Sequence, residues 1–176
     1  PVLSPSRLAA GPVDALQIKA MSDLRIEPAT LEDLPLLAEL LADLFAAEPE
    51  FTADQAKQMS GLRLILEQPN RGRVFVLRNS TRIIGMINLL ITISTAEGGF
   101  VLLLEDLVVH ADHRGQGHGG RLLKHAVEFA REKAFLRITL LTHRNDARVI
   151  AFYQRHGFVA SEMMIMRLLV APGASA

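Results

Sequence analysis

Arg114-Gly115-Gln116-Gly117-His118-Gly119-Gly120 stands between the apolar run Val101–Val109 and the periodic segment Arg121–Ala134. The order reads as strand, glycine loop, helix. Glycines this dense let the backbone enter φ > 0 and approach a ligand closely, and the first turn of a helix offers unpaired N–H groups at its positive dipole end. That combination suits a phosphate group.

Two descriptions fit the loop. Gly115, Gly117 and Gly120 satisfy the dinucleotide fingerprint G-x-G-x-x-G, which should leave a strand directly and be followed by an acid about 20 residues on, at the end of the next strand. Here His110-Ala111-Asp112-His113 separates strand from glycines, and the next strand ends in Thr142-His143-Arg144 with no acid. The dinucleotide reading fails on context.

The second description is Arg-x-x-Gly-x-Gly, met by Arg114, Gly117 and Gly119. Around it lie Leu104-Glu105-Asp106-Leu107-Val108-Val109 before the loop, Gly120-Arg121-Leu122-Leu123 after it, then Asn145 and Phe152-Tyr153-Gln154-Arg155-His156-Gly157-Phe158. In this order the set resembles the GNAT superfamily of acyl-CoA-dependent N-acetyltransferases, from Leu24 to about Val170.

Composition narrows the remaining classes. The 176 residues suit one domain with a sizeable core, and 19 Lys+Arg against 19 Asp+Glu give no electrostatic case for nucleic acid or an anionic membrane. No apolar run approaches the roughly 18 residues of a membrane helix. Cysteine is absent, which removes disulfides, thiolate metal sites and a Cys acyl-enzyme, so direct transfer is the simpler chemistry. No charged-then-apolar leader is visible, and the cytoplasm is the expected location.

Residues 1–22, rich in Pro, Ala and Ser, read as an N-terminal extension; 23–170 as the folded domain; 171–176 as a tail. Leu24–Pro28 reads as a first strand. Thr30 with Asp33 opens a helix over Leu31–Ala47, and Thr52 with Gln55 opens another to about Glu67. Pro69-Asn70-Arg71-Gly72 breaks the chain. Val74–Leu77, Ile83–Ile93 and Phe100–Val109, rich in branched residues and separated by turn signals, read as an antiparallel meander. The segment Arg121–Ala134 places Leu122, Leu123, Ala126, Val127, Ala130 and Ala134 on one helical face. Ile138–Thr142 follows as a strand, Asp146–His156 as a helix, and Phe158–Ala160 and Met163–Leu169 as final strands. The expected class is mixed α/β. The resemblance implies the topology β-α-α-β-β-β-α-β-α-β-β, with a mostly antiparallel central sheet splayed at the cofactor.

Glu105 and Asp106 interrupt an otherwise apolar strand, and a buried carboxylate is costly unless paired or useful. Neighbours on a strand point to opposite faces, so the two form a facing dyad only if a bulge intervenes. One is expected at the reaction centre while the other binds structure or substrate. All 6 histidines fall between His110 and His156 without the spacing of a metal set, so they read as solvated and no metal is expected.

The resemblance assigns roles. It implies acetyl-CoA as cofactor, its pyrophosphate on the N–H groups of Gly115, Gln116, Gly117, His118, Gly119 and Gly120 with Arg114 assisting, its pantetheine arm along Leu107, Val108 and Val109, and Asn145 touching the arm. Glu-Asp at this place resembles the small-amine acetyltransferases, polyamine and aminosugar enzymes included, in which Glu is the usual base; Glu105 is favoured and Asp106 comes second, with His110 and His143 left open. Tyr153, the single tyrosine, matches the family's general acid; its other reading is a core aromatic. The expected reaction is acetyl transfer to a primary amine, small molecule or peptide, in a ternary complex, with the oxyanion held by the N–H of Val108 or Val109. A non-catalytic acyl-CoA-binding or regulatory module is the alternative. A homodimer stays open, and no code for the amine is legible in Phe45–Phe51 or Glu162–Arg167.

Overall fold

The structure is a computed structural model and describes residues 23–46, 54–80, 82–168 and 170. They fall into two units that divide between Leu141 and Thr142.

The first unit holds strands β1 (Arg25–Pro28), β2 (Gly72–Arg78), β3 (Ile83–Ser94), β4 (Gly99–Val109) and β5 (Ile138–Leu140), with helices α1 (Leu34–Ala46), α2 (Gln55–Glu67) and α3 (His118–Glu132). The sheet keeps chain order, β1-β2-β3-β4-β5. The first four strands pair antiparallel: short turns join β2 to β3 and β3 to β4, while α1 and α2 lie between β1 and β2; β5 pairs parallel to β4 because α3 crosses between them.

Alternation along the strands separates the two faces. Val74, Val76, Met86 and Val108 pack with Leu34, Leu37, Ala38, Leu40 and Leu41 of α1 and Leu62 of α2 in one core. Phe75, between two of those residues, points to the opposite face and meets His125 and Phe129 of α3 edge-on, ring centroids 4.6 and 5.1 Å apart. Leu122, Leu123 and Ala126 of α3 are fully buried. Of the apolar stripe read from the sequence, Leu122, Leu123, Ala126 and Ala130 form this buried face and Val127 is half-buried, whereas Ala134 is exposed beyond the helix end, at φ of +57°.

Local signals set the helix starts. The Asp33 carboxylate accepts the backbone N–H of Thr30 at 2.8 Å and an Arg78 guanidinium N–H at 2.7 Å. Burial would raise its pKa, but these two donors hold it below the ordinary carboxylate range. Residues 31–33 form a 3-10 turn before α1 begins at Leu34, so Pro35 falls in the first turn, where its missing N–H is harmless. Asp54 caps α2 by accepting from the Lys57 backbone N–H at 3.2 Å; the expected cap, Thr52, lies outside the described residues.

The second unit, described by itself, holds α4 (Ala147–Arg155), capped by Asp146, whose carboxylate accepts from the Arg148 and Val149 N–H groups at 3.0 and 3.1 Å. The expected strands over 158–160 and 163–169 are not found: residues 158–168 are irregular, and position 169 lies outside the described residues. Met163 and Met166 are 86% and 88% exposed, so these side chains have little of the packing from which strand preference arises.

Candidate active site

Glu105 is the extra residue of a β-bulge. On β3, Asn88 and Leu89 are neighbours, yet their β4 partners are Asp106 and Leu104, which leaves Glu105 unpaired between them. Asp106 therefore shares the face of Val108 and Met86, toward α1 and α2, and is buried, while Glu105 stands exposed. A bulge, the condition under which the two acids could have faced one another, is present at that position, yet one acid is buried and the other exposed.

Asp106 Oδ2 accepts from Asn88 Nδ2 at 2.9 Å. Burial, set against that bond and aided by the neighbouring charge of Glu105, pushes the Asp106 carboxyl up to about 6. The Asn88 Oδ1 is buried without a partner.

Beyond the bulge one edge of β4 is open within the sheet. β5 pairs only with Leu102, Leu103 and Leu104, while β3 continues beside β4 to Val109. The ladder between the two strands thus ends at Leu104 and Leu140, just before Glu105. Lateral groups in an antiparallel pair alternate direction. The His110 N–H donates to Ile84 O at 2.8 Å on the β3 side, and the Val108 carbonyl also lies on that side, against Gly85. The N–H groups of Leu107 and Val109 consequently face the open edge. Of the two N–H groups proposed for the oxyanion, Val109's is available and Val108's is turned into the sheet.

The edge leads into the glycine loop. Arg114 folds back, its Nε donating to Val109 O at 3.0 Å, and Gln116 Nε2 reaches Asp112 O at 3.4 Å. Gly115 and Gly117 hold φ of +75° and +80°, and Gly117 is the N-cap of α3. Among the described residues no atom lies within 4 Å of a Cβ built at either position, so the space beside Gly115 and beside Gly117, the N-cap of α3, is open. The first-turn N–H groups of His118, Gly119 and Gly120 point toward it. Gly119 and Gly120 are half-buried, and α3 starts three residues earlier than its periodicity suggested.

The histidines are not uniformly solvated. His118 is only 5% exposed, its Nδ1 has no partner, and burial together with Arg121 and His113 lowers its pKa. Only its backbone N–H is placed to meet a ligand at the helix start. His113 is half-buried and likewise lowered, by burial and by Arg82 and His110. His125 packs on Phe75. His110 accepts from the Asp112 N–H through Nδ1 at 3.3 Å. Among the described residues no group of three or more His, Asp or Glu forms a metal site.

In the second unit Tyr153 lies on α4 between Phe152 and Phe158, ring centroids 5.1 and 5.6 Å away. Burial pushes its phenol up to about 12. Asn145 is exposed in the turn before α4, and the helix cap falls to its neighbour Asp146. Of Phe45–Phe51, expected to help shape the acceptor site, only Phe45 and Ala46 at the end of α1 are described; 47–51 lie outside the described residues.

Asn88 was absent from the sequence-based candidates. Its signal was weak but present, a lone amide in the apolar run Ile83–Ile93.

The family model described as Acetyltransferase (GNAT) family matches residues 36–158. Glucosamine 6-phosphate N-acetyltransferase of Trypanosoma brucei brucei is 30% identical over 153 residues, covering 83% of this chain and 95% of the relative. A solved transcriptional regulator from Bacillus halodurans C-125 is similar at a TM-score of 0.73 and 26% identity, over 83% of this chain and 99% of that one. An aminoglycoside acetyltransferase from an uncultured soil metagenomic sample, solved in complex with sisomicin, shares the fold at a TM-score of 0.68 and 22% identity, over 86% and 99% of the two chains. With the family match extending over more than half of its length, the chain belongs to the GNAT acetyltransferase family and is an acyltransferase.

Proposed function

We propose that the chain acetylates a primary amine by direct attack in a ternary complex with acetyl-CoA. The observation that carries the reading is the open edge of β4, which begins at the exposed Glu105, offers the N–H groups of Leu107 and Val109, and ends at a helix N-terminus that is open beside Gly117. Such an edge accepts an extended amide-bearing arm as an added strand, and the helix start accepts a pyrophosphate. The residues present therefore fit acetyl-CoA, which when bound supplies the acetyl group as a thioester.

Within this reading Glu105 takes the proton of an amine that is mostly protonated at pH 7, its pKa near roughly 10. The Val109 N–H donates to the thioester carbonyl oxygen as charge develops there. Tyr153, kept protonated by burial, gives its proton to the departing thiolate. Asp106 is the weaker candidate for the base because it is buried and engaged with Asn88. The similarity to a glucosamine 6-phosphate N-acetyltransferase favours an amino sugar as acceptor.

A thiol-release assay over glucosamine 6-phosphate, glucosamine, spermidine, lysine and sisomicin tests the reading, alongside thermal unfolding with acetyl-CoA or NAD. Turnover on an amino sugar with thermal stabilisation by acetyl-CoA is expected. Stabilisation by NAD and not by millimolar acetyl-CoA would remove it.

A further inference from the structure

We infer that Asn88 is a positioning residue for Glu105, its hydrogen bond to Asp106 across β3 and β4 holding the register that loops Glu105 out of the sheet. The inference rests on the reading of Glu105 as the base.

Two adjacent acids give β4 two ways to continue past Leu104. Leu104 faces Leu89, so a strand running on without an extra residue would set Glu105 opposite Asn88. A one-residue change of register turns over every later side chain: Leu107 and Val109 would replace Val108 on the α1 and α2 face, and the lateral N–H groups would exchange sides with them. The two registers differ in which acid is buried and which N–H groups meet the open edge.

The structure takes the bulged register, and Asn88 contacts the acid that this register buries. Asn88 and Asp106 are 3% and 7% exposed, and Asn88 Nδ2 lies 2.9 Å from Asp106 Oδ2. A buried carboxylate lacking a donor is strongly disfavoured; in the bulged register Asn88 supplies that donor to the shorter acid at 2.9 Å, whereas in the other register the amide would face Glu105, whose side chain is one methylene longer and reaches past it. The pair is not the arrangement that stability alone would select. Asn88 Oδ1 is left buried and unpartnered, an orphan that two apolar residues would avoid.

The test uses the full chain with three variants: Asn88→Leu, Asn88→Asp, and the exchange Asn88→Asp with Asp106→Asn, which rebuilds the amide–carboxylate pair in reverse. Register is read without substrate. Ile87 and Leu107 are directly opposed in a pair that exchanges no hydrogen bonds, so their α-protons lie close enough for a nuclear Overhauser contact. Wild type and the exchange should show this contact, and Asn88→Leu and Asn88→Asp should lose it. With the panel amine of highest kcat/KM, the two single variants should lose about ten- to a hundredfold in kcat, as expected for a displaced reactive group, with KM for acetyl-CoA within about twofold. The exchange should restore most of the kcat. Persistence of the Ile87–Leu107 contact in both single variants overturns the proposal, as does an exchange variant that regains thermal stability without regaining the contact. Should Asn88→Leu fail to fold, Asn88→Asp and its exchange partner carry the comparison. Glu105→Gln is assayed in parallel: wild-type turnover there removes Glu105 as the base while the contact result stands by itself.

Discussion

Gly85 of β3 lies so close to Val108 of β4 that a Cβ built on it would stand 2.7 Å from the Val108 carbonyl oxygen, 3.2 Å from Leu122 Cδ1 and 3.3 Å from Val109 Cα. This is where α3 presses the sheet just before the glycine loop. Gly85→Ala must displace backbone rather than a side-chain tip, so a loss of about 1–3 kcal/mol is expected, as for overpacking of a core. For a chain of this size that lowers the melting temperature by roughly 2–4 °C per kcal/mol. Because the displaced strand carries the Val109 N–H, acetyl-CoA affinity should fall as well. Calorimetric unfolding and titration on one preparation check both, and an unchanged melting temperature would show that the approach is not tight.

Asp106→Asn should change stability in a pH-dependent way. The folded carboxyl sits at about 6 against roughly 3.9 in an unfolded chain. The fold therefore binds this proton more tightly, and its stabilising share is full below about pH 4 and lost as pH rises through 6. By neutral pH the ionised carboxylate costs on the order of 3 kcal/mol relative to the protonated form, because a tenfold difference in proton affinity between folded and unfolded chain is worth about 1.4 kcal/mol. Asparagine removes the titration and can still accept from Asn88. The variant should gain on wild type by about 2 kcal/mol between pH 4 and pH 7. Urea unfolding at both pH values measures this, and a pH-independent difference would mean that Asp106 ionises freely in the fold.

Glu105→Gln should lower turnover by about a hundredfold to ten-thousandfold, the usual loss of a general base. The loss should shrink at high pH, where more amine is already deprotonated. Acetyl-CoA affinity should hold, because the proposed contacts run through backbone N–H groups and the glycine loop. Turnover at the wild-type rate at neutral pH would pass the role to Asp106, a histidine such as His110, or ordered water.

Gly117→Val should weaken acetyl-CoA binding for a reason visible only in the structure. Among the described residues no atom lies within 4 Å of the added Cβ, so they offer it no clash. The cost comes from φ of +80°, which a β-branched residue strongly resists, and from filling the space proposed for pyrophosphate. The wild type should gain roughly 2.7 kcal/mol at about a hundred times the dissociation constant of acetyl-CoA, and the variant should gain almost none. Thermal shift over a concentration series decides it.

The meander, the three helices of the first unit and the glycine loop were legible because each rests on a local signal. Branched runs are set off by turn residues, and the stripe at Leu122, Leu123 and Ala126 follows the helical period. The bulge was not legible as a fact. Residues 101–104 and 107–109 are apolar throughout, so period-2 alternation carries no phase there, and only the partner strand shows that Asn88 meets Asp106. The burial of His118 was hidden for a related reason: a histidine among glycines looks solvated until α3 begins on it and leaves it buried. Met163–Leu168 misled in the other direction. An unbroken apolar run has the composition of a strand, but composition does not supply the neighbour to which a strand must bond.

Tyr153→Phe separates two accounts of the one tyrosine. Burial between Phe152 and Phe158 suits a core aromatic, and a phenol pushed up to about 12 is held in the protonated form that an acid needs. The demand on such an acid is modest, since a thiolate with pKa near roughly 8.5 already leaves well. The variant keeps the ring and its packing. As general acid, Tyr153 predicts an intact fold, unchanged acetyl-CoA affinity and a fall in kcat of about tenfold to a thousandfold, at or below the usual range. As core residue alone it predicts a loss on the order of 1 kcal/mol in stability, with activity per folded molecule unchanged. Melting temperature and single-turnover rate measured on the same preparation tell the accounts apart, because single-turnover conditions report chemistry even where product release limits kcat. A single-turnover rate equal to that of the wild type would remove the hydroxyl from the mechanism and leave Tyr153 to packing.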